Sequence, residues 1–113
     1  GEAHLIAGNT DEALRAYRQA AARAETAEPH RRLGSAAIDV GRLEIAERAF
    51  QTAINLRPDF AKSHLNLGYV YYTTGRFDAA ANQYRQATRA APENASAHIN
   101  LGAVLALQGR RDE

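Results

Sequence analysis

The sequence has no cysteine and no methionine among its 113 residues. Without cysteine there are no disulfides and no thiolate metal sites. The absence of methionine includes position 1, which points to an excised or processed fragment. Neither sign of charge is in surplus: 14 Lys and Arg stand against 13 Asp and Glu, a formal net charge of +1. That balance supplies no electrostatic footprint for nucleic acid or an anionic membrane, and neither is expected as a partner. No apolar run approaches the roughly 18 residues of a membrane span. No basic segment followed by an apolar core opens the chain. Alternating β-rich runs and hairpin signals are missing as well. Present instead is 45% hydrophobic content, enough for one domain's core.

That content is periodic. Leu33-Gly34, Leu67-Gly68 and Leu101-Gly102 follow one another at a constant interval, as do Gly41, Gly75 and Gly109. Ala46 and Ala80, Phe50 and Tyr84, Ala53 and Ala87, and Pro58 and Pro92 keep the same interval. A fixed period between about 20 and 50 residues is the signature of a stacked-repeat architecture.

Within each period the apolar residues fall at helical spacing, so the fold class is all-α. Residues 1–7 read as the tail of a helix closed by Gly8, a residue that caps helices at low steric cost. Asn9, Thr10 and Asp11 supply N-capping chemistry for a helix over about 11–24, with Ala13, Leu14, Tyr17, Ala20 and Ala21 on one face. Glu25 to Glu28 break it, and Pro29 suits the first turn of the next helix, about 29–40. Further helices are expected at about 43–56, 61–74, 78–90 and 95–108, making about seven, with Pro58 and Pro92 after two of them and Gly109 ending the last. Gly34, Gly68 and Gly102 fall mid-helix, where glycine costs about 1 kcal/mol against alanine. The repetition of that cost at one register is best explained by close helix packing, with the ring of Phe50 or Tyr84 in the adjacent space.

These residues resemble the tetratricopeptide repeat: Leu-Gly in a first helix, Gly before a second, then Ala, an aromatic, Ala and a closing Pro. The resemblance covers residues 1–113 as a single domain, with complete repeats at 27–60 and 61–94 and partial ones at 1–26 and 95–113. It implies an α-α superhelix, or solenoid, of stacked antiparallel helix pairs. Three departures stand out. Gly8, Ala13, Tyr17 and Ala20 precede Gly41, Ala46, Phe50 and Ala53 by one place less than the full period, so a residue is missing near Thr26, and the closing proline is absent there. His30, His64 and His98 replace the family's large aromatic at the fourth position. No polar end cap is recognisable, and Leu101, Val104, Leu105 and Leu107 are expected to lie without a covering helix.

The three histidines raise the question of a metal. Stacked helices lie roughly 10 Å apart, whereas metal–nitrogen bonds are about 2 Å, so one ion cannot span two of them. Packing roles are expected, and no metal or other cofactor. No phosphate-cradling glycine loop, zinc-protease signature or nucleophile elbow is present. Acid pairs such as Asp11-Glu12 suit helix starts, where carboxylates favour the positive end of the dipole. The chain is therefore not expected to be an enzyme.

In the family, the first helix of each repeat lines a concave groove that commonly holds an extended peptide. The resemblance places Arg31, Arg32, Ser35, Lys62, Asn66, Tyr69, Tyr72, Thr73 and Asn100 on that face, with Ile38, Asp39, Leu65, Ser96, Ile99, Ala103, Ala106 and Leu107 beside them. Asn66 and Asn100 share one repeat position. An amide donates and accepts, so such a row can pair with the backbone of any extended chain. It looks like the asparagine ladder of the repeats in O-linked N-acetylglucosamine transferases, which Arg32 interrupts; the bland reading is that each amide only caps or hydrates the groove. Lys62 and Asn66 with Arg31 and Arg32 partly resemble the carboxylate clamp by which chaperone co-factors hold an acidic C-terminal peptide, although Ser35 and Tyr69 stand where that clamp has asparagine in its first repeat. Tyr71 should pack inward, leaving Tyr69 and Tyr72 as anchors of the kind enriched in binding hot spots.

The function implied is a non-catalytic interaction module with a protein or peptide partner. Alternatives are the substrate-presenting repeat arm of a larger enzyme such as a glycosyltransferase, or a scaffold that self-associates through its uncapped C-terminal end.

Overall fold

The computed structural model describes the backbone of residues 2–112 and the side chains of residues 11–110. Every regular element in them is an α-helix: α1 (Glu2–Ala22), α2 (Ala27–Asp39), α3 (Leu43–Leu56), α4 (Ala61–Thr73), α5 (Phe77–Ala90) and α6 (Ala95–Asp112). They form two compact units, divided between Pro58 and Asp59. In the first, α1 and α3 pack on α2; in the second, α4 and α6 pack on α5.

The hairpin turns follow from glycine. Gly41 and Gly75 have φ of 76° and 77°, a region that costs other residues steric strain. With glycine one place beyond the helix cap, the Arg42 amide reaches back to the Ala37 carbonyl at 2.8 Å and the Gly41 amide to Ile38 at 2.9 Å. Arg76 and Gly75 do the same with Tyr71 and Tyr72, at 2.8 and 3.1 Å. These paired bonds are the Schellman closure, which satisfies carbonyls the helix end would otherwise orphan.

Each hairpin is cored by a ring against a glycine. Phe50 and Tyr84 are 0% and 3% exposed, and small residues (Ala46 and Ala53, Ala80 and Ala87) flank them without exposure. A methyl group added at Gly68 would lie 2.5 Å from Tyr84 Cε1, and one at Gly34 would strike the Phe50 ring. The mid-helix glycines thus let the helices close, as the period implied. Burying a side chain the size of Phe50 contributes about 1.5–3 kcal/mol, more than the roughly 1 kcal/mol the glycine costs its helix. Gly102 differs: nothing lies within 4 Å of where its Cβ would be.

Among the described residues there are six helices, close to the about seven expected. The chain does not end a helix at Gly8, since α1 runs unbroken through Gly8, Asn9 and Thr10. Likewise α6 continues through Gly109 to Asp112. Glycine inside a helix is a cost of about 1 kcal/mol and not a stop; the helix ends at Gly41 and Gly75 because there the hairpin demands a positive φ.

The loops are held by side chains. His30 Nε2 lies 3.1 Å from the Ala24 carbonyl and His98 Nε2 2.7 Å from that of Pro92, each on the loop before its own helix. Asn94 Oδ1 accepts from the Ala97 amide at 3.3 Å, capping α6. His64 is buried, with Nδ1 2.8 Å from Gln83 Oε1 across the α4–α5 hairpin.

Candidate functional site

Helical spacing on α4 sets Lys62, Asn66, Tyr69, Tyr72 and Thr73 along one side. The inward side is taken by Leu67, Val70 and Tyr71, all buried. Tyr69 and Tyr72 remain 47% and 41% exposed, which for tyrosine leaves a large apolar surface facing water.

In the second unit these two rings border a concavity of about 250 Å³, completed by Tyr84, Asn100, Ala103 and Val104. Tyr84 brings its ring from α5, and the last three come from α6. Tyr72 is braced by Phe77, whose ring is tilted 51° to it at a centroid separation of 6.0 Å. Burial, with Tyr72 and then Tyr69 nearby, holds the Tyr84 phenol above its ordinary ionisation range, so it stays a neutral hydrogen-bonding group. The Asn100 side chain is half-buried and adds an amide that can donate and accept. The concavity is smaller than the ~300–1,000 Å³ of sites that enclose a small molecule. It suits one or two side chains of a longer ligand.

The structure thus brings together Tyr69, Tyr72 and Asn100 of the residues expected at a groove. Asn66 is half-buried one turn before Tyr69, and Lys62 is exposed beyond it. Thr73 is exposed, but its hydroxyl donates to the Val70 carbonyl at 3.0 Å. Tyr71 is turned inward, as expected, and the Arg76 guanidinium lies 4.5 Å from its ring centroid.

Arg31, Arg32 and Ser35 belong to the first unit. Arg31 binds Glu28 with both Nη2 (2.6 Å) and Nε (3.2 Å), and Arg32 Nε reaches the same carboxylate at 3.2 Å. Chiefly through the Arg31 hydrogen bonds, the Glu28 carboxyl is lowered from 4.5 to about 2. Both guanidiniums therefore share one carboxylate, which balances one of their two charges. Ser35 is half-buried on the same helix.

Sequence reasoning passed over Glu28, although it stands one full period before Lys62 and so at the same repeat position. It also assigned Tyr84 wholly to the core and expected Val104 to be bare. Val104 is 1% exposed, because α6 turns it toward α5. A second concavity, about 170 Å³, lies in the first unit among Asp11, Leu14, Arg15, Arg18, Arg42 and Ile45. The i, i+3 spacing of Arg15 and Arg18 was its signal in the sequence. Among the described residues, no group of three or more His, Asp or Glu could hold a metal ion, and no helix is long and apolar enough to cross a membrane.

Comparison with known proteins supports the repeat reading. Tetratricopeptide-repeat models match residues 31–84 and 1–19, and a TPR repeat model matches residues 70–109. No curated protein matches the chain. Two crystal structures of MamA are similar at 26% identity, with TM-scores of 0.83 and 0.84; each covers 99% of this chain. The chain spans 62% and 66% of those two MamA chains. The first TPR of Spaghetti (RPAP3), bound to the HSP90 peptide SRMEEVD, has a TM-score of 0.83 at 19% identity, over 96% of this chain and 87% of that one, a likeness of fold. With the regular sequence period, the glycine-to-ring packing of both hairpins and these matches in agreement, the chain belongs to the tetratricopeptide-repeat family.

Proposed function

We propose that the chain is a non-catalytic interaction module that holds an extended peptide or protein segment against the exposed side of α4 and α6. The observation that carries this reading is the concavity where Tyr69 and Tyr72 border Tyr84 and Asn100. Exposed tyrosines offer large contact area with few rotatable bonds, the property that makes them frequent hot spots. Asn100, and Asn66 one turn before Tyr69, would pair with the backbone of the bound segment and fix its register. The RPAP3 domain of the same fold is seen with a peptide bound, which supports a peptide as the ligand class. Arg31 and Arg32 are engaged by Glu28, so recognition through tyrosine and amide contacts is favoured over a carboxylate clamp.

The test is a display-library peptide selection with three proteins: wild type, Asn66→Ala/Asn100→Ala and Tyr69→Ala/Tyr72→Ala. Peptides enriched by wild type should share a pattern and lose about 30-fold or more in affinity with the tyrosine variant, the size of one hot spot of about 2 kcal/mol. The asparagine variant should lose affinity with little change of pattern. No enrichment, or enriched peptides that bind both variants as tightly as wild type, would overturn the reading.

A further inference from the structure

The concavity of about 170 Å³ in the first unit has an apolar floor and a basic rim. Leu14 is buried and Ile45 half-buried, whereas Arg15, Arg18 and Arg42 are exposed around them. Asp11 brings the one carboxylate of the lining, so three guanidiniums less one carboxylate leave a local charge of +2. Arg15 and Arg18 stand one turn apart on α1 and so share a side of it. Arg42 comes from the α2–α3 turn, where its amide is bonded to the Ala37 carbonyl at 2.8 Å. None of the three guanidiniums forms an ion pair or hydrogen bond with another described residue.

Packing does not account for these cations. At the place of Arg42 in the second hairpin, Arg76 lies 4.5 Å from the Tyr71 ring centroid and donates to the Thr74 hydroxyl at 3.1 Å. One period earlier those partners are Ala37 and Val40, which offer Arg42 neither ring nor hydroxyl. Nor does the repeat call for Arg15 and Arg18 together: α3 has Arg48 and Gln51 at those positions, and α5 has Asn82 and Arg85. Like charges held around one hollow repel. An anion seated among them relieves that repulsion and gains charge-assisted hydrogen bonds.

We propose that this concavity is a binding site for a phosphate monoester borne on a side chain of a protein partner. A phosphorylated side chain carries about −1.5 to −2 at pH 7, which matches the local +2, and a carboxylate brings about half of that. Guanidiniums engage phosphate oxygens in pairs of parallel bonds, and the Leu14 and Ile45 floor takes the carbon stem. The hollow is smaller than the ~300–1,000 Å³ of sites that enclose a small molecule, so one side chain of a longer ligand suits it better than a free metabolite. A net charge of +1 leaves no extended basic track for a nucleic-acid backbone or an anionic bilayer. The site shares no residue with the tyrosine-lined concavity and stands or falls apart from the peptide reading there.

The test is titration of the 113-residue chain, followed by amide NMR, with capped Ala-phosphoserine-Ala, capped Ala-Glu-Ala and inorganic phosphate. The phosphoserine peptide should shift the amides of residues 11–18 and 42–45 and saturate, about tenfold tighter or more than either other probe. Arg15→Gln/Arg18→Gln and Arg42→Gln should each weaken it by about tenfold or more. Asp11→Asn should tighten it, and Arg48→Gln, outside the concavity, should leave it unchanged. All five side chains are exposed, so each variant should keep the wild-type circular dichroism. Shifts that fail to saturate, or that survive either arginine variant, overturn the proposal. Equal affinity for inorganic phosphate overturns a partner's side chain as the source, and equal affinity for Ala-Glu-Ala overturns phosphate as the chemistry.

Discussion

Substituting alanine for glycine at one repeat register should have opposite effects in α4 and α6. At Gly68 the new methyl group would lie 2.5, 2.8 and 3.0 Å from Tyr84 Cε1, Cδ1 and Cζ. The ring is 3% exposed and lies against α4, so it cannot swing aside without moving α5. Inserting one methyl into a packed core costs about 1–3 kcal/mol, and contacts this short place Gly68→Ala at the upper end. Against that stands a gain of about 1 kcal/mol in helix propensity. The net expectation is a loss of about 2 kcal/mol. At Gly102 nothing lies within 4 Å of the added atom, so only the propensity gain remains, about 1 kcal/mol of stabilisation. Urea unfolding followed by far-UV circular dichroism should separate the two variants by about 3 kcal/mol. Adding Tyr84→Leu to Gly68→Ala should be less harmful than the two separate losses summed, by at least about 1 kcal/mol, since the ring causes the clash. Should Gly68→Ala be as stable as wild type, or should both variants shift the same way, the account of glycine as a packing residue fails.

Gly75→Ala should destabilise by about 1–2 kcal/mol through strain at a φ of 77°, with no steric contribution, because its Cβ has no neighbour within 4 Å; thermal melts would show it. Ser63→Ala should stabilise by about 0.5–1 kcal/mol in the same measurement: it removes a buried hydroxyl without a hydrogen-bond partner and improves helix propensity. Glu28 is lowered from 4.5 to about 2 in the fold, so its contribution is present above pH 4.5 and is lost as pH falls toward 2. The carboxylate is half open to solvent, which limits the effect to about 1 kcal/mol or less; Glu28→Gln should flatten the melting temperature across that acid range. The Tyr84 phenol is raised above its ordinary value of 10.0, so the unfolded chain ionises first. Stability should therefore fall as pH rises past 10, and Tyr84→Phe should reduce that slope.

Much of this fold was legible because repetition tests each inference several times. The helix over Leu43–Leu56 has the bounds its apolar stripe implied, and the helical period turned Tyr71 inward and left Tyr69 and Tyr72 outside. Where one element stood without a complete counterpart, the reading failed. Gly8 and Gly109 share a register with Gly41 and Gly75, yet α1 and α6 run through them. Composition marks where a chain can turn, and in α1 and α6 the helical conformation is kept through that glycine. Side-chain pairing was less legible still. Glu28 takes both Arg31 and Arg32 because rotamers bring them to one carboxylate, and spacing alone permits several other pairs. The histidines, expected to pack, hold loop carbonyls at His30 and His98 and a glutamine at His64.

The same comparison between copies separates residues that maintain the fold from residues free to bind. Gly34 and Gly68 meet rings in both hairpins, so that position is explained by packing and needs no ligand. The position of Arg32, Asn66 and Asn100 follows another rule: the side chain changes from a guanidinium held by Glu28 to two half-buried amides, and the packing beneath it does not require either. Tyr69 and its counterparts Ser35 and Ala103 vary in the same way, from hydroxyl to ring to methyl along one face. A repeat that must stack constrains its inner positions to one solution, because each is pressed by the next helix. Positions that point away from that contact are released from it, and there the copies diverge. In this chain two such positions, those of Asn100 and Tyr69, border the concavity that Tyr72 and Tyr84 share. Packing leaves their side chains undetermined, which is the physical reason to test that surface for a partner.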